Sequence, residues 1–188
     1  MTTSPSRLDM KRLAELVSNS SSADAAFQVL FEYFRGCGLE LSNDFRTVDV
    51  ERSVNEVHEQ LISLFEREPI PVEVTFLYFG LFDLHPRGEG VPRVGFYISG
   101  GQAYDPSDSD SLCNPLYFPE NRLISSRLLD EVRSLALSLP PNREFLEYTV
   151  MFAMAAMLAR FALPVPPNRY SLIVGFDEGD FAKIDPVR

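Results

Sequence analysis

The chain has 188 residues, 45% of them hydrophobic, and a formal net charge of −10, which is typical of a globular protein with one domain. Acidic chains repel nucleic-acid phosphates and anionic membrane surfaces, so the charge disfavours DNA, RNA and membrane binding. It would attract a basic protein partner, but it also keeps a protein in solution, and both interpretations stay open. We expect residues 1–188 to form a single domain, with residues 1–7 loose at the N-terminus.

The cysteine content and the first residues of the chain predict a cytoplasmic protein. The segment MTTSPSRLDMKR contains no apolar run and does not have the pattern of a signal peptide. Two cysteines, Cys37 and Cys113, fit free thiols in a reducing compartment. The longest mainly apolar run, residues 148–159, has 12 residues, whereas a membrane span needs about 20. It therefore predicts a helix buried in the core.

The first third of the chain predicts helices. Residues 8–17 carry one short apolar face, and the tract at 18–24 can cap a second helix. That helix has aromatic and aliphatic residues at positions i, i+3, i+4 and i+7, namely Phe27, Leu30, Phe31 and Phe34. We expect Gly36 and Gly38 to end it, because glycine readily adopts the left-handed conformation found at helix ends.

A third apolar stripe covers residues 50–65 and predicts another helix, which Pro69 ends because proline lacks a backbone donor. Two strands follow, near 72–80 and 93–99. The first begins with alternating apolar and polar residues and then becomes apolar throughout, as in a strand covered on both faces. The connection at 85–92 is too long and too rich in glycine and proline for a two-residue turn.

The last third predicts two helices, at 126–139 and 143–163, and a strand at 171–176. An acidic turn at 177–180 can send the chain back through a further strand at 181–184, which the sequence leaves open. Because the strands cluster instead of alternating with helices, we expect an α+β fold with a mostly antiparallel sheet packed by about five helices.

Residues suited to catalysis are scarce. His58 lies beside an apolar helix stripe without a second histidine four residues away, so it fits no helical zinc pair. His85 follows Asp83 by two residues, and the acidic residues at 105–110 come later. These groups support an alternative function, a small metal-dependent hydrolase. Since no nucleophile or metal motif accompanies them, we expect no catalytic residues, metal or cofactor.

The acidic loop after the second strand is the strongest candidate site. No lysine or arginine occurs between Arg93 and Arg122, while four acidic residues do. An EF-hand counted from Asp105 would require glycine at its sixth position and glutamate at its twelfth, and neither is present. A solvated loop with Asx turns and a surface for a protein partner remain. The expected partner-binding residues are Tyr104, Asp105, Asp108, Asp110, Tyr117 and Phe118.

Three short segments resemble small acidic bacterial immunity proteins, which neutralise toxins of polymorphic or contact-dependent systems. They are residues 97–101 (YISGG), 104–106 (YDP) and 114–119 (NPLYFP). In that group a sheet strand often leads into an acidic aromatic loop. The resemblance implies a cytosolic, non-enzymatic inhibitor that occludes a basic toxin or nuclease, and it assigns no individual residue. A structural or regulatory subunit, presenting its Phe-rich helices to a partner, is a further alternative.

Overall fold

A computed structural model describes residues 9–37, 48–84, 93–105, 112, 114–137, 144–165, 169–176 and 180–184. Within these residues the chain forms five α-helices and five β-strands, which confirms the α+β class. The helices are α1 (Met10–Ser18), α2 (Ala23–Gly36), α3 (Val50–Arg67), α4 (Arg127–Leu137) and α5 (Glu144–Ala162). The strands are β1 (Phe76–Leu84), β2 (Arg93–Gly101), β3 (Leu123–Ser125), β4 (Ser171–Phe176) and β5 (Phe181–Ile184).

The first three helices begin at polar caps whose side chains accept hydrogen bonds from otherwise unpaired backbone N–H groups. Asp9, Ser22 and Asp49 serve α1, α2 and α3, respectively. The end of α2 differs from the expectation. Gly36 is still helical, and Cys37, a free thiol with φ of −81°, closes the helix by donating to carbonyls of the preceding turn. No left-handed glycine is needed there, and Gly38 lies outside the described residues.

The sheet has the strand order β3-β2-β1-β4-β5 and is mixed. β1 pairs antiparallel with β2 and parallel with β4, while the β2–β3 and β4–β5 pairs are antiparallel. The predicted strand near 72–80 starts and ends later than expected. The N–H of Val74 donates to Pro71 O at 3.2 Å and makes a turn, so Val72 is 82% exposed and β1 begins at Phe76.

The helices cover one face of the sheet, which we call the inner face, and α5 lies at the centre of this layer. It contacts the other four described helices and also β1 and β4. From Phe152 to Ala159 every residue of α5 is fully buried, which confirms the core helix predicted from the apolar run. Among the described helices, α5 included, none combines the length and apolar character that crossing a bilayer requires.

Alternation along the strands separates two apolar clusters. Leu77, Phe79 and Leu81 of β1 point toward the helices and join the main core. Phe76 and Tyr78 point the other way and form a second, smaller cluster with Ile173 of β4. We call this second side of the sheet the outer face. It is the face on which the candidate site is built.

Candidate functional site

The outer face is built from aromatic rings that lie over glycines on the neighbouring strand. Each ring belongs to the residue directly opposite the glycine in the sheet register. The pairs are Phe76 with Gly101, Tyr97 with Gly80, and Phe181 with Gly175. A Cβ at Gly80 or Gly101 would overlap the ring of its aromatic partner, so these two rings occupy the space that glycine leaves. A Cβ at Gly175 would instead overlap Cβ and the backbone of Phe181. The outer face is therefore closed by rings lying along the sheet instead of by a layer of helices.

The segment after β2 covers the middle of this face. The ring of Tyr104 lies 6.0 Å from the ring of Phe76 on β1 and 6.0 Å from the ring of Phe181 on β5, measured between centroids. Partial burial, and to a smaller extent the neighbouring carboxylate of Asp105, raise the pKa of Tyr104. Tyr104, expected to contact a partner, is thus half-buried and holds its segment against the sheet.

Tyr117 and Phe118 point in opposite directions. Tyr117 pairs with Gly100 through two backbone hydrogen bonds of 2.9 Å, and its side chain is buried in the main core. Its hydroxyl donates to Glu68 O at 2.8 Å. Burial is the main cause that raises the pKa of Tyr117, and Glu68 adds to it. Tyr117 therefore does not offer its ring to a partner in this conformation but fixes the residue that follows.

Phe118 lies outside this core and is 51% exposed. Its ring is 6.3 Å from the ring of Tyr97, and the guanidinium of Arg122 sits 4.0 Å above its centroid. Leu116 and Leu123, the latter opposite Tyr97 in the register, are 53% and 54% exposed. We call Leu116, Phe118 and Leu123 the Phe118 patch. Exposed apolar side chains grouped at one edge of a sheet are typical of an interaction surface.

The carboxylate of Glu68, just after α3, holds the turn between Phe118 and Arg122. It accepts hydrogen bonds from Glu120 N at 2.7 Å, Asn121 N at 3.1 Å and Asn121 Nδ2 at 3.1 Å. These bonds, the Glu120 N–H first, lower the pKa of Glu68. We call this arrangement the Glu68 clamp. Because it fixes the turn from one side and Tyr117 from the other, the position of Phe118 is set before any partner arrives.

The remaining predicted site residues are placed as follows. Asp105 is exposed next to Tyr104, whereas Asp108, Asp110 and His85 lie outside the described residues. Asp83 lies in β1, opposite Val94 of β2. His58 forms a 2.8 Å hydrogen bond through Nδ1 to Ala162 O at the end of α5, which is a structural role. Within the described ranges no cluster of three or more His, Cys, Asp or Glu is suited to hold a metal ion.

The glycine–aromatic pairs and the Glu68 clamp were missed from the sequence. Gly80 inside an apolar strand was the available signal, because an interior strand glycine often marks close approach of another group. The sequence around Glu68 gives no such signal, since its carboxylate accepts hydrogen bonds from residues more than fifty positions away. No family model, no curated protein and no solved structure matches this chain. Its function is therefore inferred from the geometry and charge of the site.

Proposed function

We propose that the chain is a non-enzymatic protein-binding module of the cytosol. It docks the Phe118 patch onto a basic protein and occludes that protein's working surface, as an immunity-type inhibitor of a toxin or nuclease does. The observation that carries the proposal is Phe118 itself, a half-exposed aromatic residue held in place by buried and hydrogen-bonded neighbours. The metal-dependent hydrolase alternative depends on Asp83, His85 and the acidic residues at 105–110, of which His85, Asp108 and Asp110 lie outside the described residues.

Fixing the site in advance favours binding. Ordering a flexible loop on association costs conformational free energy, and a surface already ordered in the free protein avoids that cost. The Glu68 clamp and the buried ring of Tyr117 provide this order on either side of Phe118. Aromatic residues in such surroundings are frequent hot spots, since they bury a large area with few rotatable bonds.

The charge around the patch favours a basic partner. Glu120 is exposed in the turn after Phe118, Asp105 is exposed beside Tyr104 on the outer face, and no lysine or arginine occurs between Arg93 and Arg122. The cation of Arg122 is engaged by the Phe118 ring, and its Nη1 donates to Pro119 O at 3.2 Å. Together with the net charge of −10, this distribution should accelerate encounter with a positively charged surface.

The purified product of a neighbouring gene, if basic, is the probe that tests this proposal. We expect the chain to inhibit it at a one-to-one ratio, with association slowed by added salt. Asp105→Ala combined with Asp108→Ala should slow association several-fold and leave dissociation nearly unchanged, because long-range attraction between opposite charges acts mainly on the rate of encounter. Val29→Ser, a half-exposed position on α2, is the matched control. Binding that ignores both salt and the two aspartates would contradict the electrostatic part of the proposal.

A further inference from the structure

An open groove of about 700 Å³ runs between α3 and the segment that contains β3. Glu59, Gln60 and Ser63 line it from the helix, while Glu120 and Leu123 line it from the other side. Its volume falls in the range of natural ligand-binding clefts. The sheet order makes β3 an edge strand, so the groove lies along one free edge of the sheet.

At one end of this edge the side chain of Gln60 imitates a paired strand. Its Nε2 donates to Ser125 O at 2.9 Å, and its Oε1 accepts from Ser125 N at 3.2 Å and from Ser125 Oγ at 3.3 Å. The same Nε2 also donates to Glu56 O at 3.1 Å, which fixes the amide on α3. Gln60 thus satisfies the outward backbone groups of Ser125, as a neighbouring strand would.

The strand geometry then places the backbone groups of Leu123. In an antiparallel strand, both groups of one residue point to the same side, and the side alternates from residue to residue. The hydrogen bonds of Ser125 to Gln60 show that its groups point away from β2. Leu123, two residues earlier, must direct its N–H and C=O the same way, into the groove. The Glu68 clamp occupies the N–H groups of Glu120 and Asn121 farther along.

The open stretch of this edge is therefore short and lies between two blocked positions. It extends from the Glu68 clamp to Gln60 and offers one outward-facing residue, Leu123. Three residues of extended chain span about 10 Å, which is enough to pair with that residue. Edge strands with free backbone groups are natural sites for pairing with another chain.

Charged groups in the groove select the partner's side chains. Glu56 is already paired with Arg52 at 3.0 Å and lies 3.7 Å from Arg127. Arg67 donates through Nε to Ser63 O at 2.9 Å on its own helix. Glu59 and Glu120 have no ion-pair partner among the described residues, and both line the groove. Their carboxylates would favour lysine or arginine over acidic side chains.

We propose that this groove binds a short extended segment of the basic partner. The segment exchanges backbone hydrogen bonds with the N–H and C=O of Leu123 and places a lysine or arginine against Glu59 and Glu120. This inference rests on the proposed function and deepens it, since it specifies how the partner is recognised beside the Phe118 patch. The contact is short, so it supplies specificity, and the Phe118 patch supplies most of the apolar area.

A nuclear magnetic resonance titration of the full chain with the synthetic peptide acetyl-Val-Lys-Val-Lys-Val-amide tests the groove directly. We expect saturable shifts at the Leu123 amide and the Gln60 side-chain amide, and several-fold slower hydrogen exchange at Leu123. The matched peptide with glutamate in place of lysine should bind about tenfold more weakly or not at all. Shifts confined to other regions, or equal binding of the two peptides, would overturn the proposal.

Leu123→Pro removes the outward N–H and places a ring where the partner strand would lie. Leu123→Ala also loses the exposed leucine side chain but keeps the donor, so it is the matched reference. The proline variant should lose peptide binding about tenfold relative to the alanine variant, because one backbone hydrogen bond is lost and a clash is added. A peptide N-methylated at its central residue tests the reciprocal bond, from the peptide N–H to Leu123 C=O, without changing the protein. Wild-type affinity for Leu123→Pro, or for the methylated peptide, would refute strand pairing.

Phe118→Ser separates this inference from the proposed function. Because Phe118 does not line the groove, the variant should bind the peptide normally and the basic protein poorly. If the basic protein requires Phe118 but tolerates Leu123→Pro, the groove proposal is wrong and the proposed function stands. If the peptide binds at Leu123 but no basic protein binds at all, the proposed function is wrong and the groove site stands.

Discussion

The two faces of the same five-stranded sheet are closed by different means. On the inner face, Leu77, Phe79 and Phe96 interlock with a helical layer centred on α5, and all three are fully buried. On the outer face, aromatic rings lie over glycines, with Tyr104 and the segment after β2 as cover. The described residues of the inner face form a packed core, whereas the outer face and its β3 edge carry partly exposed rings.

This difference shows how one sheet provides both a stable core and a candidate binding surface. Helix-to-sheet packing excludes water completely and fixes the strands, which carries most of the free energy of folding. On the outer face, glycines at positions 80 and 101 leave room for the rings of Tyr97 and Phe76 to approach the neighbouring strand closely. Its edge can therefore present Phe118 to solvent while the strands beneath it remain fixed. We therefore expect substitutions on the inner face to lower the free energy of unfolding more than substitutions on the outer face.

The largest expected effect is on the inner face. Phe79 is fully buried and its ring meets that of Phe96 edge-on at 5.5 Å. Phe79→Ala should lower the free energy of unfolding by about 3–5 kcal/mol, because it leaves a cavity that the helices cannot fill. Tyr104→Ala on the outer face should lower the free energy of unfolding by clearly less, since that ring is only half-buried. Urea denaturation of both variants measures the difference, and equal losses would contradict the contrast between the faces.

The glycines of the outer face should differ among themselves. A Cβ at Gly175 would lie 2.6 Å from Asp180 O and 2.7 Å from Phe181 Cα, so the β5 backbone itself must move. A Cβ at Gly80 would meet only the far end of the Tyr97 ring, which can swing away. Gly175→Ala should therefore cost about 1–3 kcal/mol of unfolding free energy and Gly80→Ala less. Thermal unfolding tests this order, and the reverse order would refute it.

Sequence reasoning succeeded where a pattern was local and long. The run at 148–159 is apolar on all sides, and only a buried helix accommodates it. The sequence did not predict β3, because a strand of three residues is too short to show an alternating pattern and depends on pairing with β2. It placed the start of β1 too early, since Pro71 makes a turn before the strand.

For the candidate site, the sequence pointed to the segment that carries Phe118 but did not give the direction of its side chains. It named Tyr117 and Phe118 together as partner contacts, yet consecutive residues in extended chain point to opposite sides. Tyr117 is buried and Phe118 is half-exposed. The Glu68 clamp that fixes this choice joins positions distant in sequence, and no local pattern reveals it.

A smaller effect is expected at the sheet edge. Gln60→Ala removes the amide that satisfies both outward backbone groups of Ser125, and it should cost about 1 kcal/mol of unfolding free energy. Hydrogen exchange at the Ser125 amide should also become faster. Gln60→Glu is the matched control, because it keeps the acceptor for Ser125 N but loses the donor to Ser125 O. Unchanged exchange in Gln60→Ala would show that Gln60 does not protect this edge.

The smallest effect concerns pH. The pKa of Glu68 is lower in the folded chain than its ordinary value of 4.5, so the clamp stabilises the folded state fully above pH 4.5. That contribution is lost as the pH falls through the folded pKa, when the carboxylate is protonated. The backbone and side-chain amide resonances of Asn121, which has no titrating group of its own, should titrate in that acidic range. In Glu68→Gln the titration should vanish, and titration that persists there would contradict the assignment.

The most direct test of the central claim is the equilibrium dissociation constant of the basic partner measured by calorimetry for Phe118→Ser and for Val29→Ser. Both replace a partly exposed apolar residue, but only the first lies at the sheet edge fixed by the Glu68 clamp. We predict at least a tenfold weaker affinity, or about 1.4 kcal/mol, for Phe118→Ser and no change for Val29→Ser. Equal affinities for the two variants, with both folded as the wild type, would contradict the claim that this surface binds the partner.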